Sequence, residues 1–304
     1  MKLLYKDVDI YSSVSLNQCI YDSYGEQRPD IVRIVLNDGY DLWDAWKPQK
    51  GDIVQVILGA CNTGKMYITE ISPTNGKMTL RASSVPQGHN NHYSKSWQSI
   101  QFMQICREVA QRHGLKCEFY DVKDQTYEYV AQQDKEDFIF LEERCILEGC
   151  AFLVYDGKLV VYDEHVAEEK VNGKLMISNT AKFEYEDKSG DCYGTCHLRN
   201  GTITGTYFSS GSLKTLERSI NIRISSQGEA NRFAKNMLRY ENKRMTSATC
   251  DSDIFLPGFA AGSAMQIKTD GVASWNGNVF CTHVRHDFVK AKTKLFFRKP
   301  LEGY

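Results

Sequence analysis

The sequence predicts an α+β fold that is mainly β, with an α+β region placed between two β-rich regions. Residues 1–82 and 166–304 consist of short alternating runs separated by turn residues, which is typical of strands, whereas residues 97–165 carry helical periodicity. The polar, turn-rich stretch 83–96 is predicted to be a linker. A chain of 304 residues has room for two or three domains, and the change of pattern favours three.

The first β-rich region, residues 1–82, is predicted to form a small barrel or sandwich because its turn signals recur at short intervals. Turns are expected at Asn37-Asp38-Gly39 and at Pro73-Thr74-Asn75-Gly76, since Asn, Asp, Gly and Pro fit turn conformations. Four runs between the turns have the length and composition of strands: 31–36, 52–58, 66–71 and 77–81.

Two helices are predicted in residues 97–165. Gly114 and Gly149 are expected to stop them, because glycine readily adopts the left-handed conformation that ends a helix. Acidic residues crowd the expected first turn of the second helix, where the helix dipole favours negative charge. These residues are Asp134, Glu136 and Asp137. The apolar stripes comprise Ile100, Met103, Cys106, Val109 and Ala110 in the first helix, and Phe138, Leu141, Cys145 and Ile146 in the second.

A hairpin and a third helix complete the predicted elements. Asp156-Gly157 predicts a hairpin, because a type I′ turn needs positive φ at both central positions. Within 166–304, Ser226 and Glu229 form a capping box for a helix at about 227–242. Its buried stripe comprises Ala230, Phe233, Ala234, Met237 and Leu238, and strands are expected near 265–268, 278–287 and 293–297. The two β-rich regions are compatible with a divergent duplication, but they share no strong residue-level repeat.

The composition excludes several classes of protein. Lys and Arg number 37 and Asp and Glu number 38, which argues against a dedicated nucleic-acid binder, since such proteins carry a basic excess. The first seven residues do not resemble a signal peptide, and no apolar run is long enough to predict a transmembrane segment. Ten cysteines without a signal peptide indicate a reducing cytosol with mostly buried free thiols.

The segment from Gly59 to Met66 fits the G-x-x-x-x-G-K phosphate-loop pattern. Met66 stands where a Ser or Thr hydroxyl would bind magnesium. The residues that follow alternate as a strand, so the loop would lack the helix N-terminus that binds phosphate. We therefore interpret it as a β-hairpin loop and predict no nucleotide site.

Other candidate chemical groups have plainer explanations. Cys192, Cys196 and His197 have the spacing of half a zinc site, but the nearest second pair, Cys145 and Cys150, includes a core position of a predicted helix. The run 283–287 brings His, Arg and Asp together, yet His283 and His286 would lie on opposite faces of a strand. The carboxylates of Asp134, Glu136 and Asp137 are explained by the helix dipole. No catalytic, cofactor-binding or metal-binding residue is predicted.

Four stretches of the sequence, taken in order, extend over about 82–297. The stretches are Ala82-Ser83-Ser84-Val85-Pro86 to Trp97; Ile105 to Ala110 with Gly114-Leu115; Gln133 to Phe138 with Glu148-Gly149, Phe152 and Asp156-Gly157; and Ser226 to Ala230 with Pro257-Gly258, Ala261-Gly262 and Val284-Arg285-His286. Their order and spacing are more specific than any one motif. Together they resemble the late control protein D family of contractile phage tails, which is similar to the N-terminal part of VgrG spike proteins.

The resemblance implies a structural baseplate hub and not an enzyme. Each chain of a homotrimer would supply two tube-like β-barrel domains, 1–82 and 166–304, to a pseudo-sixfold ring, with 97–165 as an inserted outer domain. The ring would join the tail tube above to the spike below and contact other baseplate proteins. It would be made in the bacterial cytoplasm and then become part of a tail or virion. The sequence does not distinguish a phage from a headless tail-like bacteriocin.

Two other classes of function stay open from the residues alone. One is a β-barrel module that binds nucleic acid or glycan, which predicts salt-sensitive association. The other is a small peptidoglycan hydrolase that uses carboxylates or the group Cys192, Cys196 and His197. The hub hypothesis implies no cofactor and no specific nucleic-acid binding, because extended surfaces and not a pocket would carry the function.

Overall fold

The computed structural model describes residues 1–39, 46–86, 91–209 and 212–304. Four α-helices have both ends in these ranges: α1 (Phe102–Arg112), α2 (Asp137–Glu148), α3 (Glu164–Glu169) and α4 (Gln227–Asn242). The strands are β1 (Lys2–Tyr5), β2 (Val8–Asp9), β3 (Ser15–Tyr24), β4 (Ile31–Asn37), β5 (Ile53–Leu58), β6 (Cys61–Asn62), β7 (Met66–Thr74), β8 (Lys77–Ser83), β9 (His92–Gln101), β10 (Lys116–Tyr120), β11 (Thr126–Glu136), β12 (Cys150–Tyr155), β13 (Lys158–Asp163), β14 (Val171–Ile177), β15 (Lys182–Asp187), β16 (Thr195–Asn200), β17 (Ile203–Phe208), β18 (Thr215–Ser219), β19 (Thr246–Ser252), β20 (Ser263–Thr269), β21 (Gly277–Asp287) and β22 (Lys292–Arg298).

Six of the N-terminal strands form a sheet in the order β1-β5-β7-β8-β4-β3, which we call the first β unit, and the two-residue strands β2 and β6 add to it beside β1 and β5. Each neighbouring pair is antiparallel. Alternate side chains on these strands point to one face and are buried there, as the sequence pattern predicted. This core includes Leu3, Val32, Ile34, Val54, Val56, Ile68 and Leu80.

The C-terminal strands form a second six-stranded sheet, the second β unit, in the order β14-β20-β21-β22-β19-β15. Numbered by position along the chain within each unit, both sheets have the order 1-4-5-6-3-2. Only the pairing of the first and fourth strands differs, since β14 and β20 are parallel whereas β1 and β5 are antiparallel. The mainly β, α+β fold class is thus confirmed, and the strand order repeats where the residues do not.

The two β units share one continuous sheet. The second half of β21 pairs antiparallel with β3, with Arg285 opposite Asp22 and His286 opposite Tyr21. The first half of β21 pairs with β20, so this long strand serves both units. We call the contact between the units the β3–β21 seam.

The region 97–165 folds against the three-stranded sheet β17-β16-β18 and helix α4. Strands β9 and β11 form a two-stranded ribbon, and β10-β13-β12 form a three-stranded sheet. The largest apolar cluster unites residues of 85–161 with residues of 196–238, including Phe102, Phe140 and Phe233. Helix α4, which the sequence placed in the second β domain, therefore packs against the region 97–165. The domain boundaries themselves stay a prediction.

Two predicted helix starts are wrong. Residues 92–96, predicted as linker, begin strand β9, which also contains Trp97 and Ile100, so Ile100 lies before helix α1 and not on its stripe. The second helix begins at Asp137, and Asp134 lies in β11 at an irregularity in its pairing with β9. Pairing between β9 and β11 overrides the local helical pattern. Residues 87–90 of the predicted linker lie outside the described residues.

Other local predictions are confirmed. Helix α2 ends at Gly149 with φ of 70°. Asp156 and Gly157 have φ of 46° and 74° and connect β12 to β13. Helix α4 begins after Ser226, whose side chain accepts a hydrogen bond from the Glu229 N–H.

Candidate assembly surfaces and a buried charge cluster

The β3–β21 seam is held by charged and aromatic side chains as well as by the backbone. Arg285 binds Asp22 through two nitrogens, Nε at 2.7 Å and Nη2 at 3.1 Å, and Nε2 of His283 lies 2.7 Å from Oδ1 of Asp22. Burial alone would raise the pKa of Asp22, but the hydrogen bonds from His283 and Arg285 lower it below its ordinary value. The His283 ring stacks between Tyr24 and Phe296, with centroids 4.4 and 4.2 Å away.

The histidines of the run 283–287 point to opposite faces, as predicted. His286 is buried and bonds the Thr293 hydroxyl across 3.0 Å. Burial lowers its pKa to about 4, so it is neutral near pH 7. The two histidines therefore do not form one site, and the group His283, Arg285 and Asp22 serves the seam.

A buried charge cluster lies where the β units, helix α3 and helix α4 meet. It consists of three carboxylates and three cations whose side chains are each at most 4% exposed. Its members are Glu26, Glu164, Glu168, Arg239, Lys243 and Arg298. The charges balance, as burial of ions demands.

The cluster is densely paired. The Lys243 Nζ lies 3.0 Å from Glu26 and 2.9 Å from Glu164. Arg239 contacts Glu164 at 3.0 Å and Glu168 at 2.6 Å. Arg298 reaches all three carboxylates, at 3.3 Å for Glu26, 2.9 Å for Glu164 and 2.5 Å for Glu168. Burial opposes the charged form of Glu164, but Lys243, Arg298 and Arg239 hold its pKa well below the ordinary value.

The charge cluster joins four separate parts of the chain. Glu26 follows β3 in the first β unit, and Arg298 ends β22 in the second. Helix α3 supplies its two glutamates, whereas Arg239 lies in the last turn of α4 and Lys243 directly follows that helix. Sequence reasoning missed the cluster because its partners are far apart along the chain. One signal was available: Glu164/Glu168 and Arg239/Lys243 are like-charged pairs at i, i+4, which would repel on an exposed helix.

A close backbone crossing lies beside the seam. A Cβ on Gly25 would lie 2.2 Å from the Gly262 nitrogen, so only glycine fits at position 25. The Tyr162 hydroxyl donates a hydrogen bond to the Gly25 carbonyl. Gly258 and Gly262 fit the pattern G-x-x-x-G, but both lie in turns and not on a helix.

The phosphate-loop pattern is confirmed as a hairpin loop. It connects β5 to β7 through the short strand β6. Gly64 has φ of 65° and lies against Asp156, and the Lys65 N–H donates to the Asp156 carboxylate at 3.2 Å. The loop therefore packs on the hairpin of the middle region, and its backbone does not open a helix toward a ligand.

The candidate metal group is not assembled. Cys196 is buried, and burial raises its pKa to about 11, which disfavours the thiolate that a metal requires. His197 lies 2.9 Å from Glu217 on the neighbouring strand. Within the described ranges, no three His, Cys, Asp or Glu side chains are grouped as a metal site would need. Cys145 and Cys150 lie in the apolar core.

The three candidate carboxylates have different surroundings. Asp137 is fully buried at the start of α2, where Arg112, His113 and Gln132 bind it. Burial opposes its charge, but His113, Gln132 and Arg112 lower its pKa. Asp134 is exposed and lies 3.2 Å from His92, whereas Glu136 precedes the helix. Asp137 thus fixes the helix start and does not form an acid–base pair with Asp134.

Two strand segments expose an edge of the continuous sheet. Strand β15 pairs only with β19 among the described residues, and five of its six residues are exposed. The last part of β7, Glu70–Thr74, pairs with β8 on one side. The pairing of β7 with β5 is confined to Met66 and Tyr67, so the other side of Glu70–Thr74 has no strand beside it in the described parts of the chain.

The structure also has no helix, where it is described, that is long and apolar enough to cross a membrane.

No protein-family model and no curated protein matches the sequence. Solved structures match it over nearly its whole length. The prophage MuSo2 43 kDa tail protein from Shewanella oneidensis covers 98% of this chain and 98% of its own, with a TM-score of 0.76 and 10% identity. A tail protein from Neisseria meningitidis MC58 covers 98% and 95%, with a TM-score of 0.75 and 10% identity.

A third match comes from a secretion system. The E. coli c3393 protein, a component of the type VI secretion system described as structurally similar to T4 bacteriophage tail proteins, covers 100% of this chain and 79% of its own. Its TM-score is 0.62 at 14% identity. The chain therefore has the fold of phage tail proteins, a fold shared with this secretion component. At the level of fold, the resemblance found in the sequence is confirmed.

Proposed function

We propose that the protein is a structural baseplate hub of a contractile phage tail or a phage-tail-like particle. The observation that carries this proposal is the repeated six-stranded unit in a chain with the fold of phage tail proteins. Two such units in each of three chains supply six for a pseudo-sixfold ring. That ring would match the tail tube on one side and the spike on the other.

The charge cluster and the β3–β21 seam support this role. A ring subunit must keep its two units in a fixed orientation, because closed symmetry depends on the angle between successive units. The cluster connects both units to α3 and α4, and the seam makes one sheet of them. The candidate chemical groups described above are engaged in packing and ion pairs, which supports a non-catalytic role. We further propose synthesis in the bacterial cytoplasm, incorporation into the baseplate and contacts with other baseplate proteins.

The ring predicts the native mass. Light scattering after size exclusion should give three times the chain mass of 34.7 kDa, and negative-stain images of that peak should show rings. The measurement should be repeated over a range of protein concentrations, since assembly follows mass action. A single-chain mass at every concentration would contradict a hub that trimerises by itself.

A further inference from the structure

The two β units can be aligned position by position as well as in strand order, although most matching residues differ. Both hairpins of the fifth and sixth strands carry a bulge at a threonine, Thr69 in β7 and Thr282 in β21. Each threonine hydroxyl donates to the carbonyl of the residue that pairs just after the bulge, Arg81 at 3.2 Å or Phe296 at 3.3 Å. Because each bulge marks one defined residue of its strand, matching Thr69 with Thr282 aligns the two units.

The ladders extend this alignment to the second strands of the units. Tyr21 pairs with Val32, and Tyr185 pairs with Ala248, at matching positions in the third strands. Tyr185 of β15 is therefore the counterpart of Tyr21 of β3, and Glu186 is the counterpart of Asp22. By the same count, Ser72 of β7 is the counterpart of Arg285 of β21.

The correspondence identifies a seam that one chain leaves incomplete. In the β3–β21 seam, the second strand of the first β unit pairs with the fifth strand of the second β unit. The reciprocal pair would join the second strand of the second β unit, β15, to the fifth strand of a first β unit, β7. Within one chain six other strands lie between β15 and β7 along the sheet path, so these two strands do not meet, and both have exposed edges.

The exposed fractions agree with a missing neighbour. Tyr21 is 4% exposed in the seam, whereas its counterpart Tyr185 is 54% exposed. His286 is 2% exposed, whereas its counterpart Pro73 is exposed. Side chains that the internal seam buries are thus left open at the two edges of the sheet.

We propose that β15 of one copy pairs antiparallel with Glu70–Thr74 of β7 in a second copy of this chain, in the register of the β3–β21 seam. Ser72 then lies opposite Glu186, and Glu70 lies opposite Lys188. The exposed edge of β15 is thus covered by β7 of another copy, and the exposed edge of β7 is covered by β15 of another copy. The contact is heterologous, so successive copies close into a ring if the rotation allows.

The backbone groups of the two edges suit this register. In the internal seam the Gly25 N–H donates to the Thr282 carbonyl and the Phe288 N–H donates to the Cys19 carbonyl. The backbone N–H and C=O groups of even-numbered residues in this part of β21 therefore point toward β3. By correspondence, the backbone groups of Ile71 and Pro73 point toward the second copy. Ile71 exchanges two hydrogen bonds with Asp187, whereas Pro73 accepts one from Tyr185 and has no N–H to donate.

The side chains add complementary charge. Glu70 is exposed and bonds Ser72 and Arg81 of its own chain, and Lys188 is exposed and pairs with Glu186. In the proposed register the Glu70 carboxylate meets the Lys188 ammonium directly across the strands. Opposite charges at directly paired positions stabilise strand association.

This register predicts a specific disulfide. Ser72 and Glu186 form a non-hydrogen-bonded pair, where Cα atoms are about 4.5 Å apart, within the range a disulfide spans. The double variant Ser72→Cys/Glu186→Cys should form covalent oligomers under a mild oxidant, up to a product of three chains. An equimolar mixture of the two single variants should stop at two chains.

The matched control shifts the register by one residue. Ser72→Cys/Asp187→Cys should remain uncrosslinked, because neighbouring side chains on a strand point to opposite faces. The wild-type chain, with its ten native cysteines, measures the background. Equal cross-linking of the shifted pair, or none of the predicted pair, would overturn the proposed register.

A charge exchange tests the same contact without cysteines. Glu70→Lys and Lys188→Glu should each weaken self-association about 3- to 10-fold, and the double variant should restore it. Restoration distinguishes a contact between copies from the loss of the bond between Glu70 and Arg81 within one chain. Two weak single variants whose combination is weaker still would contradict the contact.

The inference deepens the proposed function, and the two can fail separately. Rings of three without the Ser72/Glu186 cross-link would preserve the hub and overturn the strand pairing. Cross-linked copies that grow into long chains without closing would preserve the pairing and overturn the ring. A chain that neither cross-links nor associates at any concentration would overturn both.

Discussion

Replacing Lys243 with methionine is expected to lower the free energy of unfolding by about 3–5 kcal/mol, the usual cost of breaking a buried ion pair on one side. The Lys243 side chain is fully buried, with its ammonium 3.0 Å from Glu26 and 2.9 Å from Glu164. Methionine fills a similar volume but leaves three buried carboxylates facing two arginines. Urea unfolding at pH 7, followed by tryptophan fluorescence, measures the loss.

The matched control is the next residue. Arg244 also contacts Glu26, at 3.2 Å, but its side chain is 57% exposed. Arg244→Met should therefore cost at most about 1 kcal/mol, as exposed ion pairs do. Equal losses for the two variants would contradict the claim that burial of the charge sets the energy.

The pH dependence of Lys243→Met gives an independent test. In the native protein the pKa of Glu164 lies well below its unfolded value, so its contribution is present above about pH 4.5 and is lost as the pH falls through the folded pKa. In the variant an uncompensated buried carboxylate favours its neutral form, which raises its pKa. The stability difference between wild type and variant should shrink as the pH falls from 7 to 5. A constant difference would show that charge balance is not the cause.

Much of the fold could be predicted because its signals are local. Gly149 and Asp156-Gly157 need positive φ, and each lies at the predicted helix end or turn. The start of α2 was misplaced for the opposite reason. Acidic residues such as Asp134 resemble a helix start, but β9, some 40 residues earlier, pairs with this segment and holds it as a strand.

The candidate surfaces could be predicted only in part. The sequence predicted that His283 and His286 lie on opposite faces of a strand, and they do. The repeat of the two β units was not visible in residues, because matching positions such as Arg285 and Ser72 differ in chemistry. Strand order and bulge position match between the two units, although the side chains at matching positions differ. The charge cluster was hidden since Glu26 and Arg298 meet only in the folded chain.

Phe233→Asp should prevent stable folding, with a loss of about 5 kcal/mol or more. Phe233 is 0% exposed at the centre of the largest apolar cluster, on the face of α4 that the capping box and apolar stripe predicted. The variant removes a large apolar side chain and buries an unpaired carboxylate, and both effects destabilise the folded state. We expect no cooperative urea transition at 25 °C. The milder variant Phe233→Leu should fold and lose about 1–2 kcal/mol, which keeps the site measurable.

The exposed counterpart is Phe208, which is 70% exposed at the end of β17, the strand that α4 covers. Phe208→Asp introduces the same chemical change in the same part of the fold, but water still solvates the carboxylate. Its unfolding free energy should therefore stay within about 0.5 kcal/mol of wild type. Because α4 also carries Arg239 and is directly followed by Lys243, loss of its packing should release the charge cluster as well, so Phe233→Asp should abolish assembly together with stability. A soluble Phe233→Asp variant that still assembles would contradict both the packing of α4 and its role in fixing the two β units.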